Sequence, residues 1–206
     1  MMAFLVACLL VVGGCALGTS KVDVSPSPDP LLQVPDKKKG EILVNQFVDS
    51  RQPHQQKYIG YKRNGFGMPI GHVGLPEGVK LEPMVTKYFA QALQKAGYNI
   101  VISDPASQAP GKVKFDAVIE GEITQFWFDG YVNDLAKVDV KIAAIDPTSK
   151  RKLWEKPIHG EKTDTSMWAR TDSLYERLLK EALTIALNKA AQEFASEEFY
   201  SAIKKK

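Results

Sequence analysis

The sequence predicts an α+β fold, a mixed or antiparallel sheet of about five strands with two helices packed on one face. Three observations lead there. Val138, Val140 and Ile142 alternate with Lys137, Asp139 and Lys141, the pattern of a strand with one face in water and one against a core. Two segments repeat apolar residues at helical spacing: Val85, Phe89, Ala92, Leu93 and Ala96, then Leu174, Leu178, Ala182, Ile185, Ala186 and Ala190. Asp129-Gly130 and Asp146-Pro147 place turns between three strand-like segments, as in an antiparallel meander.

In chain order, residues 42–48 are the first strand, bounded by Gly40 and by the polar stretch Asp49 to Pro53. Between residues 50 and 80 no period persists and six glycines intervene, so this stretch reads as a long loop, of the kind that is functional or mobile. Pro83 suits a first helical turn and Gly97 a C-terminal stop. A short strand follows at 98–102, and the meander takes up residues 115–128, 132 or 135 to 145, and 152–160. Ser173 with Glu176 forms a capping box that opens the last helix.

A chain of 206 residues with 44% apolar content suits one domain plus targeting and linker segments. Formal charge is only +3, and the lysines are scattered apart from 37–39 and 204–206, which argues against a nucleic-acid partner. The two cysteines, Cys8 and Cys15, both fall in the first apolar run, so the rest of the chain has no thiol for a disulfide, a zinc site or a nucleophile. That run, residues 1–17, is shorter than the ~20 residues a spanning helix needs and fits a secretory signal instead.

The end of the run, Val12-Gly13-Gly14-Cys15, resembles the lipobox of bacterial lipoproteins. The resemblance implies cleavage before Cys15, a diacylglyceryl thioether on its sulfur and acylation of the new amine with a fatty acid such as palmitate. Several chains at about 0.8 kcal/mol per buried methylene would anchor the protein permanently. Cys8 follows Leu5-Val6-Ala7, but only seven residues precede it, too few for a signal core. Ala16, where Asp would imply inner-membrane retention, favours the periplasmic face of the outer membrane. The expected organisation is a signal peptide at 1–14, the lipidated cysteine with a flexible Pro- and Lys-containing tether at 15–39, and a periplasmic domain at 40–206.

The mature chain also resembles the YajG-type family of small envelope lipoproteins. The likeness is carried by the lipobox, Phe47-Val48-Asp49-Ser50-Arg51, Ile59-Gly60, Ala96-Gly97-Tyr98-Asn99-Ile100, the meander and the terminal helix. It implies an envelope location and no assigned reaction.

Signals for chemistry are few. His54, His72 and His159 are far apart and form no ligand pair, and no serine sits in a nucleophile elbow. Gly65 to Gly71 lacks the last glycine of a dinucleotide loop, having Ile70 in that place. Glu120 and Glu122 share one side of a strand, which reads as a solvent face. Asp49 and Arg51 are placed to pair and pin the loop root.

No catalytic residue, metal or cofactor is therefore expected, and the chain reads as a non-enzymatic binding or scaffolding component of the envelope. Its expected partners are the membrane, through the lipid, and a protein or other envelope component. The candidate contact residues are Tyr61, Arg63, Phe66 and Met68 in the glycine-rich loop, and Phe126, Trp127 and Phe128 in an aromatic hairpin end. Trp154 and Trp168 are expected in core or helix contacts. The alternatives are an enzyme acting on peptidoglycan or another glycan, which needs polar side chains converging in a cleft, and a lipid or small-ligand carrier, which needs an internal cavity.

Overall fold

The computed structural model describes residues 18–26, 39–64, 66–103, 114–131, 133–165 and 171–204. Nine strands form one mixed sheet: β1 (Gly18–Lys21), β2 (Glu41–Val44), β3 (Val48–Asp49), β4 (Gly60–Arg63), β5 (Pro69–Gly74), β6 (Asn99–Ile102), β7 (Ala117–Gly130), β8 (Asp134–Ile145) and β9 (Lys152–Asp164). Among the described residues four helices accompany them: α1 (Pro53–Gln56), α2 (Leu81–Lys95), α3 (Asp172–Ala195) and α4 (Glu197–Lys204). The mixed α+β class matches the sequence reading, but the sheet has nine strands where about five were expected.

The spine is β7. On one edge it pairs antiparallel with β8, which pairs antiparallel with β9, so the predicted meander forms. On the other edge it receives three short parallel strands in succession, β2 at residues 117–119, β3 at 122–123 and β4 at 128–130. Beyond β2 lies β6, and beyond β4 lie β5 and then β1. A cross-section near the start of β7 thus meets β6, β2, β7, β8 and β9, whereas one near its end meets β1, β5, β4, β7, β8 and β9.

Burial follows the pleat, with one interruption. Ala117, Ile119 and Ile123 are fully buried, and after a bulge between Ile123 and Gln125 the buried set becomes Phe126 and Phe128. The extra residue changes which parity points inward. On β8 the matching inward row is Ala136, Val138, Val140, Ile142 and Ala144. Along this row runs α3, which contacts β7, β8 and β9 and is itself contacted by α2. Its approach to β9 is so close that a side chain at Gly160 would strike the Ala182 carbonyl oxygen.

The chain leaves α3 at Ser196, whose hydroxyl accepts the Phe199 N–H at 3.2 Å and restarts the helix as α4. Phe199 then closes the core edge-on to Trp154, at a centroid distance of 5.0 Å. The start of α3 differs from expectation. Its N-cap is Thr171, so Ser173 falls inside the helix and no capping box forms; Glu176 instead accepts from Lys180 at 2.8 Å and from the Asp23 N–H at 3.3 Å.

Two other expectations are corrected. The stretch from residue 50 to 80 holds α1, β4 and β5 rather than one long loop. The segment read as tether joins the fold by Gly18, since β1 pairs with β5 and Ser20, Val22 and Val24 are buried. Ser20 donates to Asp172 at the start of α3 and accepts from the buried Lys62 ammonium at 2.9 Å, which fastens β1 on both sides.

Candidate functional site

Helix α3 covers the inward row of β7, β8 and β9. The opposite face of these strands carries a run of aromatic and charged side chains. Near the end of β7, Tyr58 stacks on His72 at 3.8 Å between ring centroids, His72 meets Tyr61 at 5.4 Å, and Tyr61 stands edge-on to Trp127 at 5.0 Å. The Arg63 guanidinium lies 5.5 Å from the Tyr61 ring, a cation–π contact. Alternation within the β4–β5 hairpin puts Tyr61 and His72, which are directly paired, on this outer side.

Further along the face the charges are paired across strands. Lys137 reaches Glu161 at 3.1 Å, and His159 sits between Asp139 and Glu161. Near the start of β7 the face hollows into a groove of about 550 Å³ lined by Asn45, Val48, Glu120, Glu122, Lys141 and Glu155, among others. Val48 is 62% exposed there. Lys152 and Lys141 donate to Glu155 at 2.6 and 3.1 Å, and these hydrogen bonds hold its carboxyl below the usual carboxylate range. A fixed negative charge of that kind accepts hydrogen bonds well and donates a proton poorly.

Between these regions and the core, Arg51 is only 3% exposed. Its guanidinium grips Asp49 through Nε at 2.9 Å and Nη2 at 2.8 Å, and its Nη1 donates to the carbonyls of Tyr58 and Phe126 at 3.0 Å each. Burial alone would raise the Asp49 carboxyl, but the hydrogen bonds and charge of Arg51 outweigh it and hold the pKa below 3.8. The pair expected at the loop root is present, and it ties β3, the α1 segment and β7 together.

The seven expected contact residues separate into three places. Tyr61, Arg63 and Trp127 meet on the outer face, although Trp127 is 7% exposed and offers an edge rather than a whole ring. Phe66 and Met68 occupy the β4–β5 turn, 85% and 57% exposed. Phe126 and Phe128 are in the core, Phe128 packed 4.7 Å from Tyr175 of α3, so the proposed aromatic surface does not exist at those two positions. Contiguous aromatics on a strand must divide between its faces, and the bulge decides which go inward.

Trp154 is a core residue, as expected. Cys15, Cys8 and Trp168 lie outside the described residues. Among the described residues no group of three or more His, Cys, Asp or Glu is placed to hold a metal ion. No helix among them is long and apolar enough to cross a membrane. Sequence reading missed the groove, whose members come from the β2–β3 link, β3, β7, β8 and β9. Its visible traces were Glu120 and Glu122 on one side of a strand and the outward-facing Lys141.

The chain matches no family model and no curated protein. The YajG-type likeness accordingly rests on the sequence features alone. Solved structures do resemble it in three dimensions. A Xanthomonas campestris protein of the family model DUF330 superposes with a TM-score of 0.55 at 10% identity, over 85% of this chain and 94% of its own. A candidate neuraminyllactose-binding hemagglutinin homolog from Helicobacter pylori gives 0.54 at 12% identity, over 89% and 99%. Lipoprotein GNA1162 from Neisseria meningitidis gives 0.42 at 14% identity, over 74% and 98%. At such identities the first two establish a shared mixed α+β fold and nothing further.

Proposed function

We propose that this chain is a lipid-anchored protein of the bacterial envelope. In this reading acyl chains on Cys15 hold it to the periplasmic face of the outer membrane, and it binds another envelope component without catalysing a reaction on it. The anchor is supported by Val12-Gly13-Gly14-Cys15 and Ala16, and by the YajG-type features of the sequence. The binding role is carried by one observation, the exposed Val48 in a groove bordered by Glu120, Glu122, Lys141 and Glu155. An apolar centre ringed by charges of both signs has the composition of a recognition surface. The fixed charge of Glu155 suits holding a partner better than moving a proton.

Two measurements test this. Mass spectrometry of the protein taken from bacterial envelopes should find Cys15 acylated and first in the chain; a bare thiol, or residues 1–14 still attached, would overturn the anchor. Because the mature chain has no other cysteine, Val48→Cys can carry a thiol-directed photocrosslinker. In intact envelopes it should give a defined adduct that Thr148→Cys, in the β8–β9 turn, does not. Identical labelling from the two positions contradicts a binding groove.

A further inference from the structure

The route of the chain into the sheet determines which end of the domain meets the membrane. β1 runs parallel to β5, with Gly18 beside Gly71, so the chain enters the sheet at the end from which the β4–β5 turn projects. Cys15 is three residues before Gly18, a span of at most about 10 Å. The same number of residues separates Gly71 from Met68. Chain length alone therefore keeps Cys15 within about 10 Å of Gly18, at the end of the sheet from which the hairpin turn projects.

That turn has the properties of a group made to enter an apolar layer. Its two large side chains, Phe66 and Met68, are 85% and 57% exposed, and Tyr131 of the adjacent β7–β8 turn is 46% exposed. Much of its described backbone is hydrogen-bonded within the turn. The Asn64 side-chain oxygen accepts from the N–H groups of Phe66 and Met68 at 2.9 and 3.0 Å, and the Gly67 N–H donates to the Asn64 carbonyl at 3.0 Å. The Met68 and Gly67 carbonyls accept from the Asn64 N–H at 3.0 Å and from Arg63 Nη1 at 2.9 Å. Unpaired backbone polar groups would oppose entry into lipid, and the four N–H groups and three carbonyls named above are already paired.

The turn is also held in place. Arg63 clamps Asp129 with two hydrogen bonds, at 2.6 and 2.8 Å. Gly67, at φ +80°, leaves room for the Tyr131 ring, which a Cβ would approach to 2.6 Å. Two of the carboxylates nearby are paired with cations, Asp129 with Arg63 and Asp164 with Arg177. That lowers their repulsion from an anionic surface.

We propose that Phe66 and Met68 sit in the headgroup layer of the same bilayer that holds the lipid, giving the domain a second point of attachment and a fixed orientation. The proposal rests on the lipidation of Cys15 put forward above. A single attachment through a flexible tether would leave the domain free to rotate; two attachments on a rigid end do not. The outer-face groove then points away from the membrane, since Glu120 and Gly130 are ten residues apart on β7, about 30 Å along an extended strand.

The test uses full-length lipidated protein in vesicles of phosphatidylethanolamine and phosphatidylglycerol. Phe66→Cys and Thr148→Cys each supply one thiol for a nitroxide label. Collisions of the label with oxygen, which concentrates in lipid, and with a water-soluble nickel chelate are then compared. The label at residue 66 should show a severalfold higher oxygen-to-nickel ratio than the label at 148. Equal ratios with Cys15 acylated would overturn the docking of the turn and leave the anchor intact. Low collision with both reagents at 66 would mean that protein, a second copy included, covers the turn, and would overturn docking in lipid. A bare Cys15 in the mass spectrum of the same sample would remove the anchor and this proposal together.

Discussion

The two ends of β7 are stabilised by different means. Around its middle and start, β7, β8 and β9 present rows of fully buried aliphatic residues to α3. On the side where the chain enters, β1 and β4 are fastened by Arg51 bridging the Tyr58 and Phe126 carbonyls, by Lys62 through Ser20, and by Asp172 and Glu176 reaching back from α3. Apolar packing degrades by degrees when an atom is removed, whereas a buried polar fastening leaves an unpaired group behind. The first region should lose stability in proportion to the apolar volume removed, and the second with each polar fastening broken; in the reading proposed above, the second is the end that faces the membrane.

The largest effect expected on the packed side comes from Phe194→Ala, which removes a fully buried ring lying against Phe199. It should cost about 3–5 kcal/mol, read as a lower denaturant midpoint for the whole domain. Arg51→Met should cost nearly as much, about 3 kcal/mol, because it strands the Asp49 carboxylate and two carbonyls. This second loss depends on pH. With its folded pKa below 3.8, Asp49 contributes stability that is present above that value and lost as pH falls through the folded pKa. The stability gap between the native protein and Arg51→Met should therefore be full at neutral pH and narrow below about pH 3.8. A gap that does not change with pH would remove Asp49 from the account.

Lys62→Met should be milder, about 1–2 kcal/mol, since Ser20 keeps Asp172 as a partner. Its signature is local: faster amide exchange in β1 with little change in β8. The smallest effect on stability should come from Phe66→Ser combined with Met68→Ser, within about 0.5 kcal/mol, because both side chains are exposed. A large loss there would show that the turn supports the fold rather than facing a membrane.

The strands that were legible in the sequence are β2, β6, β7, β8 and β9. Each is long enough, or apolar enough, to show its own pattern. The four that were missed, β1, β3, β4 and β5, carry glycine or polar residues in place of an apolar run, and every pairing but the local β4–β5 one joins them to partners distant in sequence. Gly60, for instance, packs so closely on β7 that a Cβ would come within 2.6 Å of the Phe128 carbonyl oxygen. A glycine there reads as loop in sequence and is a requirement of sheet packing in space. The β7 bulge was equally hidden, and it reverses the facing of Phe126, Trp127 and Phe128. Ser173–Glu176 had the spacing of a capping box, but the N-cap is Thr171 and Ser173 falls inside the helix. The Asp49–Arg51 pair was visible because both partners lie on one short segment, whereas the groove is assembled from four strands and the β2–β3 link.

The claim on which the rest depends is that the lipid holds a rigid end of the sheet flush with the bilayer. Energy transfer from a fluorophore at Phe66→Cys or at Thr148→Cys to acceptor-labelled lipid measures the height of each position directly. β8 has 12 residues, which extends about 40 Å. The account predicts strong transfer from residue 66 and transfer from residue 148 that corresponds to a height of about that length. Equal, intermediate transfer from both positions, as from a domain tumbling on a tether, would contradict it.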